Sequence, residues 1–371
     1  MGRHVYLRSP APVPADCPIA LHSFGKPTIS TEIKRTIREL AGHGLEVCLI
    51  DNLGTSIQMR DYLGFSPEHW SLCSFSGGSP PRDLPGINEL VFSVSNKLAS
   101  LNVARPSLRM PLINGGGNTW MPPLVTGMMG QWTGGLVQAG FPVYGVITDK
   151  LILKEGLPPA PGIVFCLLTN AANNRLGQRT DGLILLADGF IIFPGGLGTK
   201  SEFIQRMTGT SVAGKPNGKP VLVVNPVIRD DVTGKDSRYF NLFLRSCASD
   251  NRYGEISNAA IENLNNQLVL YNPRKGATVE EMTEDVLSLI LTIRDLEANS
   301  TLQKGLAPLS QEVLTVYTQP LNEGNTISRP FPNRKSSGPW FEALSARLAI
   351  QPTKSGRIYR PVHAAQQIIS V

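Results

Sequence analysis

One stretch of the chain combines glycines, a hydroxyl and a carboxylate at a spacing suited to chemistry. It is the nine-residue segment Pro-Gly-Gly-Leu-Gly-Thr-Lys-Ser-Glu at 194–202, which directly follows a short apolar run. Glycines let a backbone turn tightly and approach a ligand closely, and the free amides at a helix start attract anions. The sequence therefore predicts an anion site, suited to a phosphate, at Gly195, Gly196, Gly198 and Thr199.

Thr199 and Glu202 also have a purely structural interpretation. A threonine followed three residues later by a glutamate has the spacing of a capping box, in which the two side chains bind backbone amides at a helix start. On this interpretation Thr199 opens a helix and Glu202 occupies its third position. The glycines that precede the pair favour a ligand site over a cap alone.

Two further glycine clusters follow predicted strands. One comes after the apolar run 70–75, and the other comes after 111–113. In open α/β sheets, ligands bind beyond the carboxyl ends of the strands, so clusters at several strand ends are expected to meet. The candidate ligand contacts from these clusters are Gly77, Ser79, Gly115, Gly116 and Gly117.

The elements that position these loops alternate between strands and helices. Apolar runs predict strands at 19–21, 45–50, 70–75, 111–113, 141–147, 162–168, 189–193 and 220–224. Apolar residues at helical spacing predict helices at 30–43, 87–101 and 278–296, the last with a Thr278-x-x-Glu281 capping box. This alternation predicts an α/β fold, a Rossmann-like, doubly wound and mostly parallel sheet with helices on both faces.

The composition of the chain limits the classes of function that it can have. The 371 residues carry a net charge of +6, which fits an anionic ligand better than a surface that coats nucleic acid. We expect no membrane span, because no apolar run reaches the required length. The five scattered cysteines lack a CxxC pair and the five histidines lack metal-ligand spacing, so we expect a reduced, cytoplasmic protein without a bound metal.

The segment 194–202 resembles the PGGxGTxxE signature of the Lonely Guy (LOG) family, and every defined position matches. The family's catalytic arginine, at a fixed spacing before the motif glutamate, falls on Arg179. The family's glycine-rich motif resembles Gly115-Gly116-Gly117 followed by 127–130, although 118–126 is an insertion. Thr133 and Gly134 resemble the family's glycine-rich helix start, and we expect them to serve packing rather than ligand contact. The resemblance covers roughly residues 70–300.

This resemblance implies a nucleoside 5′-monophosphate phosphoribohydrolase in which Arg179 and Glu202 are catalytic. It also implies a homodimer or higher homo-oligomer that needs no cofactor. We expect three parts: an N-terminal βαβ extension at 1–68, a LOG-like Rossmann nucleotide-binding domain at 69–300, and a basic, Pro/Ser-rich extension at 301–371. The aromatic residues of the last part favour a tail packed on its own domain or on a subunit partner rather than a nucleic-acid arm.

Several alternatives stay open at this point. Arginine does not deprotonate in proteins, so Arg179 cannot protonate a departing base, and the candidates for that step are Asp149 and Asp181. Arg175 is a candidate for phosphate binding. A non-catalytic carrier of a nucleotide or of a molybdenum-cofactor-type ligand is the alternative function. An NAD(P)-linked oxidoreductase is disfavoured, because the triple glycine lacks the G-x-G-x-x-G spacing.

Overall fold

The computed structural model places the chain in two compact units. The first comprises Met1–Pro81, Val91–Phe190 and Gly195–Ala213, and the second comprises Arg82–Leu90, Ile191–Pro194 and Gly214–Val371. The structure describes residues 22–23, 44–50, 56–66, 68–77, 84–117, 127–158, 160–168, 176–212, 219–229, 234–248, 258–302, 321–331, 350–352 and 358–361, with isolated residues near 31–37 and 341–348. The predicted strand at 19–21 and most of the predicted helix at 30–43 lie outside these residues.

The first unit contains a parallel sheet in the order β1-β2-β6-β5-β4-β3. Its strands are β1 His22–Ser23, β2 Leu45–Ile50, β3 Leu72–Phe75, β4 Leu112–Asn114, β5 Val143–Thr148 and β6 Gly162–Leu167. Parallel strands buried on both faces read as continuous apolar runs, which is why the predicted positions of β2 to β6 are confirmed to within two residues. The predicted N-terminal extension thus supplies two strands of this sheet.

Helices connect the strands. They are α1 Ser56–Leu63, α2 Ile87–Ala104, α3 Met128–Gln138, α4 Asp149–Glu155, α5 Leu176–Leu186 and α6 Leu197–Val212. Thr133 and Gly134, which were expected to serve packing rather than ligand contact, lie buried inside α3, and this helix begins at Met128. Thr133 is fully buried there, and its Oγ1 accepts a hydrogen bond from Asn114 Nδ2 at 2.7 Å. These small residues therefore serve packing.

Asp188 fixes the start of β7, which is Gly189–Ile192. Its Oδ2 accepts hydrogen bonds at 2.9 Å each from Ser71 N, Ser71 Oγ and Arg60 Nη1. In return, Asp188 N and Gly189 N donate to Ser71 O at 2.8 and 3.0 Å. Because Ser71 directly precedes β3, these bonds hold the beginning of β7 beside the beginning of β3. They therefore help to position the loops that follow the two strands.

The second unit has its own strands. They are β8 Val221–Val224, β9 Val227–Arg229, β10 Asp236–Arg238, β11 Leu268–Asn272, β12 Thr326–Ser328, β13 Ile350–Pro352 and β14 Ile358–Pro361. β8 and β11 are parallel, and β12, β14 and β13 extend the sheet in antiparallel order. The C-terminal extension thus contributes three strands, and its Phe341 is fully buried.

The helices of the second unit are α7 Asn241–Ala248, α8 Asn258–Gln267 and α9 Val279–Leu302. The predicted capping box at the start of α9 is confirmed, because Thr278 N donates to Glu281 Oε2 at 2.7 Å and Glu281 N donates to Thr278 Oγ1 at 3.1 Å. The fold is α/β and Rossmann-like with a mostly parallel sheet, as predicted. Of the helices that the structure describes, none is long and apolar enough to cross a membrane. The domain boundaries at 68 and 300 stay a prediction.

The bonds of Asp188 yield a stability prediction. Asp188→Ala removes the side-chain acceptor of the Ser71 amide and one acceptor each of the Ser71 hydroxyl and the Arg60 guanidinium, which still donate to Leu186 O. We therefore expect a loss of about 1–3 kcal/mol in the free energy of unfolding. Urea unfolding followed by tryptophan fluorescence measures this loss. Glu68→Ala is the control, because it breaks an exposed ion pair with Arg109 and should cost less than about 1 kcal/mol. Equal effects of the two substitutions would contradict the anchoring function of Asp188.

Candidate functional site

The site lies in the first unit, where the glycine clusters after β3, β4 and β7 come together. Gly77 is next to the glycine loop 195–198, because a Cβ atom on Gly77 would lie 2.7 Å from Thr199 Oγ1 and 3.5 Å from Gly196 N. Its carbonyl accepts from the amides of Met128 and Met129 at 3.1 and 3.3 Å. The loop after β3 therefore contacts both the start of α3 and the start of α6.

The start of α6 corrects the capping-box prediction. The helix begins at Leu197, and Lys200 N donates to Gly196 O at 3.2 Å, which is the first hydrogen bond of the helix. Thr199 and Glu202 are thus the third and sixth residues of the helix, not its cap and third position. The Thr-x-x-Glu spacing gave the wrong helix start, because the three glycines before and at the start of α6 allow the helix to begin two residues before Thr199.

Thr199 Oγ1 is fully buried and has no hydrogen-bond partner among the described residues. A buried hydroxyl without a partner is costly, so Thr199 Oγ1 would gain from an acceptor supplied by another molecule. Gly196 and Gly198 beside it are exposed, and a Cβ atom on either would meet nothing within 4 Å. Backbone amides in the first turn of a helix have no intrahelical acceptor, so this open corner suits an anion.

Arg179 enters the site from the first turns of α5. Its Nη1 donates to Glu202 Oε1 at 3.2 Å, and both side chains are 12% exposed. Its Nε donates to Val146 O at 3.1 Å, and its Nη2 donates to Gly115 O at 3.3 Å. The structure thus brings the two predicted catalytic residues into a direct ion pair.

Gly115 makes this placement of the guanidinium possible. A Cβ atom on Gly115 would overlap Arg179 Nη2 and lie 2.7 Å from the sulfur of Met129. Any other residue type at this position would therefore push Arg179 away from Glu202. The next glycine, Gly116, has a φ of 70° and sits against the backbone of Val146, so the triple glycine is shaped for close backbone approach.

Glu202 is held in an environment that disfavours its charge. Burial raises the pKa of Glu202 above its ordinary value, and although the adjacent Arg179 lowers it, the negative charge of Glu155 raises it again. A carboxylate with a raised pKa is a stronger base toward water than an exposed one. Cys73 in β3 is also affected by this carboxylate. Burial raises the pKa of the Cys73 thiol, and the negative charge of Glu202 raises it further, so Cys73 is an inert core residue.

The structure adds a second carboxylate that the sequence analysis missed. Glu155 is the last residue of α4, and its Oε2 fills the space beside Gly117, where a Cβ atom would overlap it. Met129 Cε lies 3.0 Å from the same position. A glutamate at a helix end, followed by Gly156, resembles an ordinary surface residue, so no signal in the single sequence marked it.

The other candidate acids are engaged elsewhere. Asp181 Oδ1 accepts from Gln205 Nε2 at 2.7 Å, which joins α5 to α6. Asp149 Oδ1 accepts from Lys150 N at 2.8 Å in the first turn of α4, next to the N-cap Thr148. Ser79, Arg175 and the insertion 118–126 lie outside the described residues. Within the described part of the chain, no group of three or more His, Cys, Asp or Glu could hold a metal ion.

α6 has a further anchor one turn after Glu202. Arg206 is fully buried, and its guanidinium lies 4.8 Å from the centroid of the Phe190 ring. Burial lowers the pKa of Arg206 to about 10. Sequence analysis did not single out this residue, yet its stacking on the β7 ring fixes the helix that presents Thr199 and Glu202.

Comparison with known proteins found similarity in the part of the chain that carries the site. Residues 129–240 match the family model described as "Possible lysine decarboxylase", the common label of LOG proteins. The segment that matches this family model includes Glu155, Arg179 and Glu202. Among solved structures, the chain is similar to the molybdenum cofactor carrier protein from Chlamydomonas reinhardtii, with 15% identity over 42% of this chain and 76% of that chain and a TM-score of 0.26. No curated protein matches the chain.

The raised pKa of Glu202 has a consequence for stability. Between the ordinary pKa of 4.5 and the higher pKa of the folded state, the carboxyl group of Glu202 binds more protons in the folded protein than in the unfolded chain. This carboxyl group therefore makes stability fall as pH rises. Glu202→Gln should therefore be more stable than the wild type at pH 7, and the difference should shrink as pH falls toward 4.5. Urea unfolding across this range measures it.

Glu281→Gln is the matched control, because the pKa of Glu281 is lowered whereas that of Glu202 is raised. Hydrogen bonding to the backbone amide of Thr278 lowers the pKa of Glu281, so its carboxylate adds stability above pH 4.5 that is lost as the pH falls. The control variant should be less stable than the wild type at pH 7. A Glu202→Gln protein that is also less stable at pH 7 would show that the ion pair with Arg179 outweighs burial.

Proposed function

We propose that this LOG-family site hydrolyses the N-glycosidic bond of a nucleoside 5′-monophosphate to the free base and ribose 5-phosphate. The observation that carries the proposal is the buried ion pair of Arg179 and Glu202, held between Gly115 and the start of α6. A binding protein needs glycine loops for its anion, but it does not need a buried carboxylate whose charge is disfavoured beside them.

The start of α6 would bind the 5′-phosphate. A phosphate dianion at this position would accept hydrogen bonds from free backbone amides and from the buried hydroxyl of Thr199, and it would benefit from the positive end of the helix. Gly196 and Gly198 leave the space that a phosphate needs. The ribose would then extend from the phosphate toward Glu202, which is one helical turn further along α6.

Glu202 would stabilise the transition state. Cleavage of an N-glycosidic bond passes through a sugar with oxocarbenium character, and a carboxylate beside the ribose stabilises that positive charge, as in glycoside hydrolysis. The same carboxylate can position water and take its proton. Arg179 would fix the carboxylate by its hydrogen bonds to Glu202 and to the carbonyls of Val146 and Gly115.

The 5′-phosphate should be required for turnover. We expect purified wild-type protein to release ribose 5-phosphate from at least one of AMP, CMP, GMP, UMP, IMP and isopentenyladenosine monophosphate, and to cleave the matching nucleoside far more slowly. Thr199→Val should raise KM for the monophosphate roughly 10–100-fold, the value of a hydrogen bond to a charged group, and leave the slow nucleoside rate unchanged. Equal rates for nucleoside and monophosphate would refute the phosphate site.

Glu202 and Arg179 should act as one unit in turnover. Glu202→Gln keeps the size of the side chain and loses its charge, so kcat should fall roughly 10²–10⁴-fold while calorimetric binding of the monophosphate is nearly unchanged. Arg179→Ala should have a similar effect, and the double variant should be little worse than either single variant. A folded Glu202→Gln protein that binds and turns over every monophosphate like the wild type would refute the mechanism. Binding without turnover by the wild type would instead favour the carrier function.

A further inference from the structure

We infer that Gln205 and Asp181 are positioning residues for the proposed catalytic pair, an assignment that rests on the proposed function. Gln205 lies on α6, three residues after Glu202. Asp181 lies on α5, two residues after Arg179. Asp181, one of the candidate acids for the departing base, thus acts through the two helices that carry the pair.

The side-chain amide of Gln205 joins α6 to the first turns of α5. Its Nε2 donates to Asp181 Oδ1 at 2.7 Å and also to the carbonyl oxygen of Gly177. A glutamine amide nitrogen carries two protons, so the two acceptors use both of them. Gly177 and Asp181 are four residues apart and therefore lie on one face of α5. The contact fixes α6 against that face.

The ion pair holds α5 from its other side. Successive residues of an α-helix are about 100° apart, so Arg179, two residues from both acceptors of Gln205, leaves the helix on the opposite face. There it contacts Glu202 and the carbonyl oxygens of Val146 and Gly115. A helix held on opposite faces cannot turn about its axis without breaking a contact. Loss of the Gln205 contact therefore lets α5 turn and Arg179 move relative to Glu202.

The pKa of Glu202 reports the position of Arg179. In the described part of the chain, the titratable groups that interact with the Glu202 charge are Arg179 on α5, Glu155 on α4 and Cys73 on β3. Of these, Arg179 is the group on the helix that Gln205 holds. Arg179 lowers the pKa of Glu202, so its movement away raises that pKa and leaves the other two influences in place.

Gln205→Ala should slow turnover more than it weakens substrate binding. A misplaced catalytic group loses up to about 100-fold in rate, so kcat for the best monophosphate should fall roughly 10–100-fold. KM should stay within about threefold, because the proposed phosphate contacts lie at the start of α6, about two turns before Gln205. The acid limb of the kcat profile should move to higher pH, because Glu202 acts as a carboxylate and its pKa rises.

Two variants of Asp181 separate positioning from proton donation. Asp181→Ala removes one acceptor and leaves the Gly177 contact, so kcat should fall only about tenfold. Asp181→Asn carries no acid, but its amide oxygen can still accept from Gln205, so kcat should return to within about threefold of the wild type. Gln178→Ala is the matched control, because it removes the same type of side chain from an exposed position beside Arg179 and should change neither kcat nor its pH profile.

The carboxyl carbon of Glu202 gives a second readout that needs no turnover. In protein labelled with ¹³C-glutamate, its NMR signal is identified by its absence from Glu202→Gln and is followed across pH. The pKa of Glu202 should be higher in Gln205→Ala than in the wild type, and Gln178→Ala should match the wild type. If Gln205→Ala does not fold, Asp181→Ala takes its place in both measurements.

The outcomes separate the inference from the proposed function. If the wild type cleaves no monophosphate, the proposed function fails, and the pKa of Glu202 in Gln205→Ala still decides whether the contact positions the ion pair. If the wild type is active and Gln205→Ala keeps its kcat, the inference is overturned while hydrolysis stands. A fall in kcat with an unchanged pKa of Glu202 also overturns it. So does an Asp181→Asn protein as slow as Asp181→Ala, because Asp181 would then act through its charge or proton.

Discussion

The rest of the site depends on the Arg179 guanidinium, which lies against Gly115 in space that any side chain at that position would occupy. Arg179 reaches the carbonyls of Gly115 and Val146 and the carboxylate of Glu202, so a single group joins the ends of β4 and β5 to α5 and α6. The three acceptors together set the position of the buried guanidinium. The glycine, the two carbonyls and the glutamate are consequently parts of one unit rather than separate contributions.

Electrostatic asymmetry follows from that arrangement. The ion pair with Arg179 favours the charge of Glu202, whereas burial and the negative charge of Glu155 disfavour it. Burial has the larger effect, so the pKa of Glu202 stays raised although its carboxylate is paired. The surroundings of a carboxyl group, rather than its chemical type, thus set how readily it takes up a proton.

Much of this could be predicted from the sequence, and the exceptions have physical reasons. Continuous apolar runs located β2 to β8, because strands buried on both faces leave no other pattern. The resemblance and the spacing identified Arg179 and Glu202, which the structure places in contact. The start of α6 was misplaced, because glycine flexibility decides where a helix begins and a capping pattern does not report it. Glu155 was missed, because its importance comes from Gly117 and Glu202, which are distant in sequence and near only in the fold. The strands β12 to β14 carry runs too short or too polar for detection, whereas β11 is as apolar as β8 and was not recognised.

The proposed anion site would link the lifetime of the protein to its ligand through the buried hydroxyl of Thr199. While the corner at the start of α6 holds no anion, the folded state bears the cost of a buried polar group without a partner. A molecule that supplies the missing acceptor binds the folded chain and not the unfolded one, so it shifts the folding equilibrium by mass action. In a cell, proteolysis removes chains from the unfolded state, and the steady-state amount of this protein would then rise and fall with the supply of the molecule it binds.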